Sequence, residues 1–204
     1  MNFEELLNYR RSVRRYSATP IDSEKVKQCL MQATLAPNSS NMQLWEFYHV
    51  TNPDKLKQLT AACLNQQAAA TAQQMVVFVT RQDLYRQRAA KMSELETLNV
   101  QQNSPQEKQE KRIKRWKLYY GIVMPFLYSR FLGIFGFFRK IMVIIIGLFR
   151  PITYQVSEND MRVVVHKTCA LAAQTFMLAM ANQGYDTCPL EGFDSKKVKR
   201  ILNL

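Results

Sequence analysis

Three polar stretches hold residue types from which a site for an anionic group could be built. Residues 10–16 read RRSVRRY, placing Arg10, Arg11, Arg14 and Arg15 close together with the hydroxyl of Ser12 among them. A guanidinium offers planar, paired donors and a hydroxyl adds another, a set that suits a phosphate. Residues 36–47, APNSSNMQLWEF, are rich in turn formers bearing amide and hydroxyl side chains. Residues 188–194, CPLEGFD, place Pro189 and Gly192 in a turn near the end of the chain. Singly, each has an ordinary reading: a solvated basic patch, a helix-to-strand loop, a connection. His49 and His166 lie outside all three and read as structural or surface residues. Cys29, Cys63, Cys169 and Cys188 stand far apart, with no C-x-x-C pair and no histidine at ligand spacing, so neither a metal site nor a disulfide framework is indicated.

The elements that must position these stretches are legible in part. Asp22 is placed to cap a helix whose apolar positions Val26, Cys29, Leu30 and Ala33 share one face, ending near Pro37. Residues 46–51 read as a strand, Pro53-Asp54 opens a helix running towards Asn65, and the apolar run 75–80, MVVFVT, reads as a buried strand. From Gln82 to about Lys117 the pattern is helical and highly charged, broken at Ser104-Pro105. Ser157, with Asp160 three residues on, caps a long alanine-rich helix that ends at Gly184 and is central to the core or to a subunit interface. Mixed helices and strands predict an α+β or α/β protein, here a single domain over residues 1–204.

Charge and hydropathy set one region apart. The chain has 28 Lys+Arg against 16 Asp+Glu, a formal charge of +12, which fits an anionic cofactor, nucleic acid or an anionic membrane surface without choosing among them. No nucleic-acid motif and no aromatic-basic interleaving of the stacking kind is present. Residues 101–155 read as an inserted basic and apolar helical segment. Within it, residues 118–152 are dominated by aliphatic and aromatic side chains and interrupted by Arg130, Arg139, Lys140 and Arg150. These cations and Pro125 cut the run below the roughly 20 apolar residues of a membrane span. A lid or dimer-packing region and a membrane-surface segment both remain open. The N-terminus carries two acids and no apolar signal region, so a cytoplasmic location is expected, with contact at a membrane surface as a further option.

In order and separation, the three polar stretches resemble the motifs of the FMN-dependent nitroreductase family, R-[RH]-S-x-[RK]-x-[FY], P-S-S-x-N-x-Q-P-W-[EHR]-F and [CA]-P-[IL]-x-G-F-D. The resemblance covers residues 1 to about 100 and 155–204. It implies an α+β fold with a mainly antiparallel sheet flanked by helices, in an intertwined homodimer. It also implies FMN as cofactor and NADH or NADPH as co-substrate. By position, Arg10 and Ser12 would hold the FMN phosphate with Arg11 as an accessory, and Arg14 would stand near the pyrimidine end of the ring. Pro37, Asn38, Ser39 and Asn41 would reach the flavin of the other subunit, and Asn65 would read its polar edge. Pro189, Leu190, Glu191 and Gly192 would cover the other ring face, with the Glu191 N–H near N5. No residue of the chain is expected to act as acid or base, since the flavin carries the chemistry.

The expected function is hydride transfer from NAD(P)H through FMN to a nitro compound, quinone or similar acceptor, in a ping-pong cycle. Other reductive chemistry on the same flavin, such as dehalogenation or ene reduction, is one alternative. A basic membrane-surface module with an impaired flavin site is the other. Departures from the family pattern are Ala68, where some relatives carry lysine, and Leu44 in place of proline before Trp45. The family pattern also implies a further strand, basic pair and arm beyond Leu204, whose lack would weaken the hold on phosphate.

Overall fold

The computed structural model describes residues 1–204. Its elements, in chain order, are α1 (Phe3–Tyr9), α2 (Ser23–Ala33), β1 (Trp45–Val50), α3 (Pro53–Ala62), α4 (Gln67–Thr71), β2 (Met75–Thr80), α5 (Tyr85–Asn103), α6 (Gln106–Leu118), α7 (Met124–Tyr128), α8 (Ile134–Gly147), α9 (Glu158–Asn182) and α10 (Ser195–Leu202). The chain divides into two compact units. One comprises Met1–Ala36, Phe47–Val79 and Leu171–Leu204, the other Pro37–Glu46 and Thr80–Ala170. Residues 101–155, read from sequence as an insertion, lie wholly within the second unit, which is wider than that segment at both ends.

The first unit is built on the β1–β2 pair. The Arg81 N–H donates to the Leu44 carbonyl at 2.9 Å, and His49 Nε2 bonds Gln74 Oε1 at 2.6 Å near the other end. The start of β1 therefore lies beside the end of β2, and the pair is antiparallel. Alternate strand residues point to opposite faces. Phe47, Val76 and Phe78 pack with Val26, Cys29 and Ala33 of α2 and with Phe176 and Met180 of α9. Tyr48, Met75 and Val77 pack on the opposite face with Leu59 and Ala62 of α3 and Val198 and Leu202 of α10. The result is a helix–sheet–helix sandwich. Asp22 caps α2 by accepting from the Glu24 N–H, and α2 stops at Ala33, short of the Pro37 boundary expected from sequence.

The second unit is helical. α5 and α6 fold back on each other at Ser104-Pro105, where Arg112 donates to Ser104 Oγ and Gln109 to the Ser104 carbonyl. A wide π turn, Tyr119–Val123, leads from α6 into α7. Its core gathers Met42 and Leu44, Ala89 and Met92 of α5, Tyr120, Met124 and Tyr128, and Met161 and Val165 of α9. The capping box foreseen at Ser157 is present: Ser157 Oγ accepts from the Asp160 N–H at 3.1 Å, and Asp160 Oδ2 accepts from the Ser157 N–H at 2.9 Å. α9 is the one helix long and apolar enough to cross a membrane, but it supplies core residues to both units.

Candidate functional site

Within the first unit, three sequence-distant stretches meet. Ser12 forms a parallel bridge with Thr187, and the Val13 N–H donates to the Thr187 carbonyl at 3.2 Å. This sets the arginine stretch alongside the chain entering the Pro189–Gly192 turn. Upstream, the Tyr9 hydroxyl donates to the carbonyl of Gly184, whose φ of 77° supplies the left-handed stop expected there. On the other flank, the Tyr16 N–H donates to Thr71 Oγ1 at 3.0 Å and Gln73 Nε2 to the Ser17 carbonyl at 3.2 Å. Burial pushes the Tyr16 phenol above its ordinary range, and Cys188 and Asp186 nearby add to the shift.

The Pro189–Gly192 turn is held from both sides. Gln66 Nε2 donates to the Gly192 carbonyl at 2.7 Å and the Asp194 N–H to the Ala62 carbonyl at 2.8 Å. The Asp194 carboxylate caps α10, accepting from the N–H groups of Lys196 and Lys197 at 3.0 Å, and these donors hold its pKa below the usual carboxylate range. The last residue of CPLEGFD thus has a structural task. Pro189, Glu191 and Gly192 are exposed and Leu190 is half-buried. The Glu191 backbone N–H donates to no group of the chain. Asn65 follows α3 in the left-handed region, φ 53°, after Leu64 at φ 58°. This turn leaves the Asn65 side chain exposed and without a partner. Asparagine tolerates that conformation better than most residues.

The arginines separate into two kinds. Arg11 Nη1 folds back to donate to the carbonyls of Leu7 at 3.0 Å and Arg10 at 2.8 Å, so it caps the end of α1. Arg10, half-buried, and the exposed Arg14 and Arg15 make no ion pair and no side-chain hydrogen bond. The guanidinium groups left unpaired, the exposed Ser12 hydroxyl within the same stretch and the free backbone N–H of the neighbouring chain's turn are donors with no internal acceptor. That set fits the phosphate and ring edge of a flavin mononucleotide. Sequence reasoning missed Thr187 and Gln66. Thr187 lies directly before the CPLEGFD motif, and Gln66 directly follows Asn65; neither position signals its partner.

The Pro37–Asn41 loop belongs to the second unit. It has no glycine, yet Ser40, Asn41 and Gln43 have φ of 53°, 50° and 47°. Side chains brace this uncommon backbone. Asn38 Oδ1 accepts from the Gln43 N–H at 2.8 Å, Ser40 Oγ bonds the Tyr119 hydroxyl at 2.7 Å, and the Tyr120 hydroxyl donates to the Ser40 carbonyl at 3.0 Å. Burial pushes the Tyr120 phenol up to about 12, so it remains a donor there. Asn38 is therefore a brace, Ser39 is half-buried, and Pro37 and Asn41 are exposed. His49 is tied to Gln74 and His166 is exposed, in keeping with structural and surface roles.

Comparison with known proteins bears on the fold and the family. The chain is 26% identical over 203 residues to a Bacillus subtilis protein carrying the name "Putative NAD(P)H nitroreductase MhqN", covering 99% of this chain and 81% of the relative. The crystal structure of a B. subtilis protein carrying the name "putative nitroreductase ydfN" superposes with a TM-score of 0.70 at 24% identity, covering 99% of this chain and 81% of the other. A protein from Exiguobacterium sibiricum, solved in complex with FMN, superposes with a TM-score of 0.66 at 19% identity, covering 100% and 81%. These two structures share the fold. The model of the nitroreductase family matches residues 7–204, and the chain belongs to that family.

Proposed function

We propose that the chain is an FMN-dependent oxidoreductase that takes reducing equivalents from NADH or NADPH and delivers them to a nitro compound, quinone or similar acceptor in a ping-pong cycle. The observation that carries this reading is the Ser12–Thr187 bridge, by which the stretch that carries unpaired Arg10 and Arg14 runs alongside the chain entering the turn whose Glu191 N–H is free. FMN, when bound, supplies the hydride-accepting and hydride-donating chemistry. Arg10 and Ser12 would hold its phosphate by charge-assisted bonds. Arg14 would place a fixed cation where negative charge collects on reduction. The Glu191 N–H would orient the ring, and Asn65 would meet its polar edge. The relative's NAD(P)H name and the FMN-bound fold neighbour support the same cofactor pair.

A homodimer fits the first unit's surface. α1 buries none of its residues and leaves Phe3 67% exposed, while Leu35 and Leu64 are 82% and 70% exposed. A second subunit would cover them, with the Pro37–Asn41 loop reaching the partner's flavin. The test is a visible absorption spectrum of the purified protein before and after adding FMN, then NADH or NADPH without oxygen. Bound flavin that bleaches with nicotinamide is expected. Arg10→Ala should weaken FMN binding by one to two decades, about 1.5–3 kcal/mol for a lost charged hydrogen bond. Arg14→Ala should lower the flavin potential, and Lys111→Ala should change neither. Failure of the parent protein to bind added FMN would overturn the reading.

A further inference from the structure

The second unit contains a helix of inverted polarity. α8 buries Gly136, Arg139 and Val143, and most of its large apolar side chains face outward. Arg139 is fully enclosed. Its Nε donates to the Val156 carbonyl at 2.7 Å, and its Nη1 to the carbonyls of Phe126 at 2.8 Å and Ser129 at 3.1 Å. Just before the helix, Glu158 accepts from the N–H groups of Phe131 at 3.0 Å and Gly133 at 3.1 Å. Gly136 lies so close that a Cβ there would stand 2.7 Å from the Glu158 backbone nitrogen. These contacts fix the rotation of α8 about its axis.

The face turned outward carries Ile134, Phe137, Phe138, Ile141 and Ile145, with exposed Leu148 directly after it. Beyond its two ends, Leu132 and Phe149 are 89% and 84% exposed. From Lys111 to Ser157 the chain has nine Lys and Arg and no Asp or Glu. Arg130 before α8, Lys140 on its flank and Arg150 after it are exposed and make no ion pair. Arg139, one of the four cations that interrupt the apolar run, is an interior group. A second copy packed two-fold on this face would oppose like charges with no carboxylate of the segment to pair them. An anionic bilayer supplies both an apolar layer for the face and phosphates for its rim. At 14 residues α8 is roughly 21 Å long, against a hydrocarbon core of about 30 Å, so it would lie in the plane of the interface.

We propose that α8 is an in-plane anchor that docks the protein on an anionic lipid bilayer, with Arg130, Lys140 and Arg150 at headgroup level. The inference is independent of the flavin site. It is tested by sedimenting the full chain, with FMN present, with vesicles of phosphatidylcholine alone or mixed equally with phosphatidylglycerol. Binding to the mixed vesicles should be at least about tenfold tighter and should fall steeply with salt. Lys140→Ala with Arg150→Ala should lower it about 25-fold, each cation contributing about fivefold. Ile141→Glu with Ile145→Glu should abolish it while leaving circular dichroism unchanged, since both side chains face outward. Absence of binding by the parent chain overturns the proposal. So does conversion of a dimer to a monomer by the glutamate pair, seen by light scattering, which would assign the face to a second copy.

Discussion

Arg139→Met removes the interior cation while keeping an unbranched side chain that favours a helix. Three carbonyls, of Phe126, Ser129 and Val156, lose a charge-assisted donor. At about 1.5 kcal/mol each the loss is about 4–5 kcal/mol. Against this, Arg139 Nη2 is buried with no partner, and burial pushes the guanidinium pKa down from its ordinary value, so the arginine carries an unmet desolvation cost. Relief of that cost returns about 2 kcal/mol. The net expectation is a destabilisation of about 2–3 kcal/mol. Trp45 and Trp116 both lie in the second unit, so tryptophan fluorescence reports that unit during urea unfolding. With a slope of about 1–1.5 kcal/mol per molar, the midpoint should fall by about 2 M. Arg139→Lys should recover only part of the loss, because one ammonium cannot reproduce a fork spread over three segments. A midpoint for Arg139→Met equal to or above the parent's would show that the interior guanidinium is tolerated there and does not hold α8 in place.

Gly136→Ala should lower the same fluorescence midpoint by the equivalent of about 1–3 kcal/mol, because the added methyl meets backbone, which cannot swing aside. Ser157→Ala should cost about 1 kcal/mol at neutral pH by removing the cap of α9. The Ser157 hydroxyl and N–H hold the Asp160 carboxyl below its usual range, so this stabilisation is complete above the unfolded value near 4 and fades as pH falls through the depressed folded value. The gap between the midpoints of parent and Ser157→Ala should therefore narrow as pH falls below about 4 and the Ser157 hydroxyl loses its carboxylate acceptor, but not close, because the bond that this hydroxyl accepts from the Asp160 N–H does not titrate. Burial raises the thiol pKa of Cys29 and Cys63, and that of Cys169 to about 11, whereas Cys188 is half-buried. A thiol reagent at mildly alkaline pH should find one fast cysteine, Cys188, and a second fast thiol would show that a core cluster opens locally.

Local signals in the sequence translated well. The caps at Asp22 and Ser157–Asp160, the break at Ser104-Pro105, the stop at Gly184 and the strand over residues 75–80 each depend on a few neighbouring residues, and each stands where the sequence put it. α10 went unnoticed because its cap, Asp194, is also the last residue of the CPLEGFD motif. The candidate site was legible as residue types, but its assembly was not. The Ser12–Thr187 bridge and the Gln66–Gly192 bond join residues more than a hundred positions apart, and neither has a local periodicity. That Arg11 turns back to cap α1 was hidden as well, because identical guanidinium groups differ only in whether a helix end lies within reach.

The apolar segment shows why periodicity misleads when one polar side chain is used internally. A helix end leaves carbonyls without intrahelical donors, and inside an apolar cluster these need a partner. α7 ends at Tyr128, and the carbonyls of Phe126 and Ser129 at that end are met by Arg139 from the next helix. The cation that seemed to interrupt a long apolar run is what allows the run to break into two short helices. Its neighbour Lys140, about 100° further round α8, is exposed. With Arg139 turned inward, α8 has only Lys140 to offer solvent as a charged group, and the rest of the outward surface is necessarily apolar. The buried arginine and the exposed apolar face follow from one packing choice. A variant that frees α8 to rotate should therefore reduce stability of the second unit and vesicle binding together.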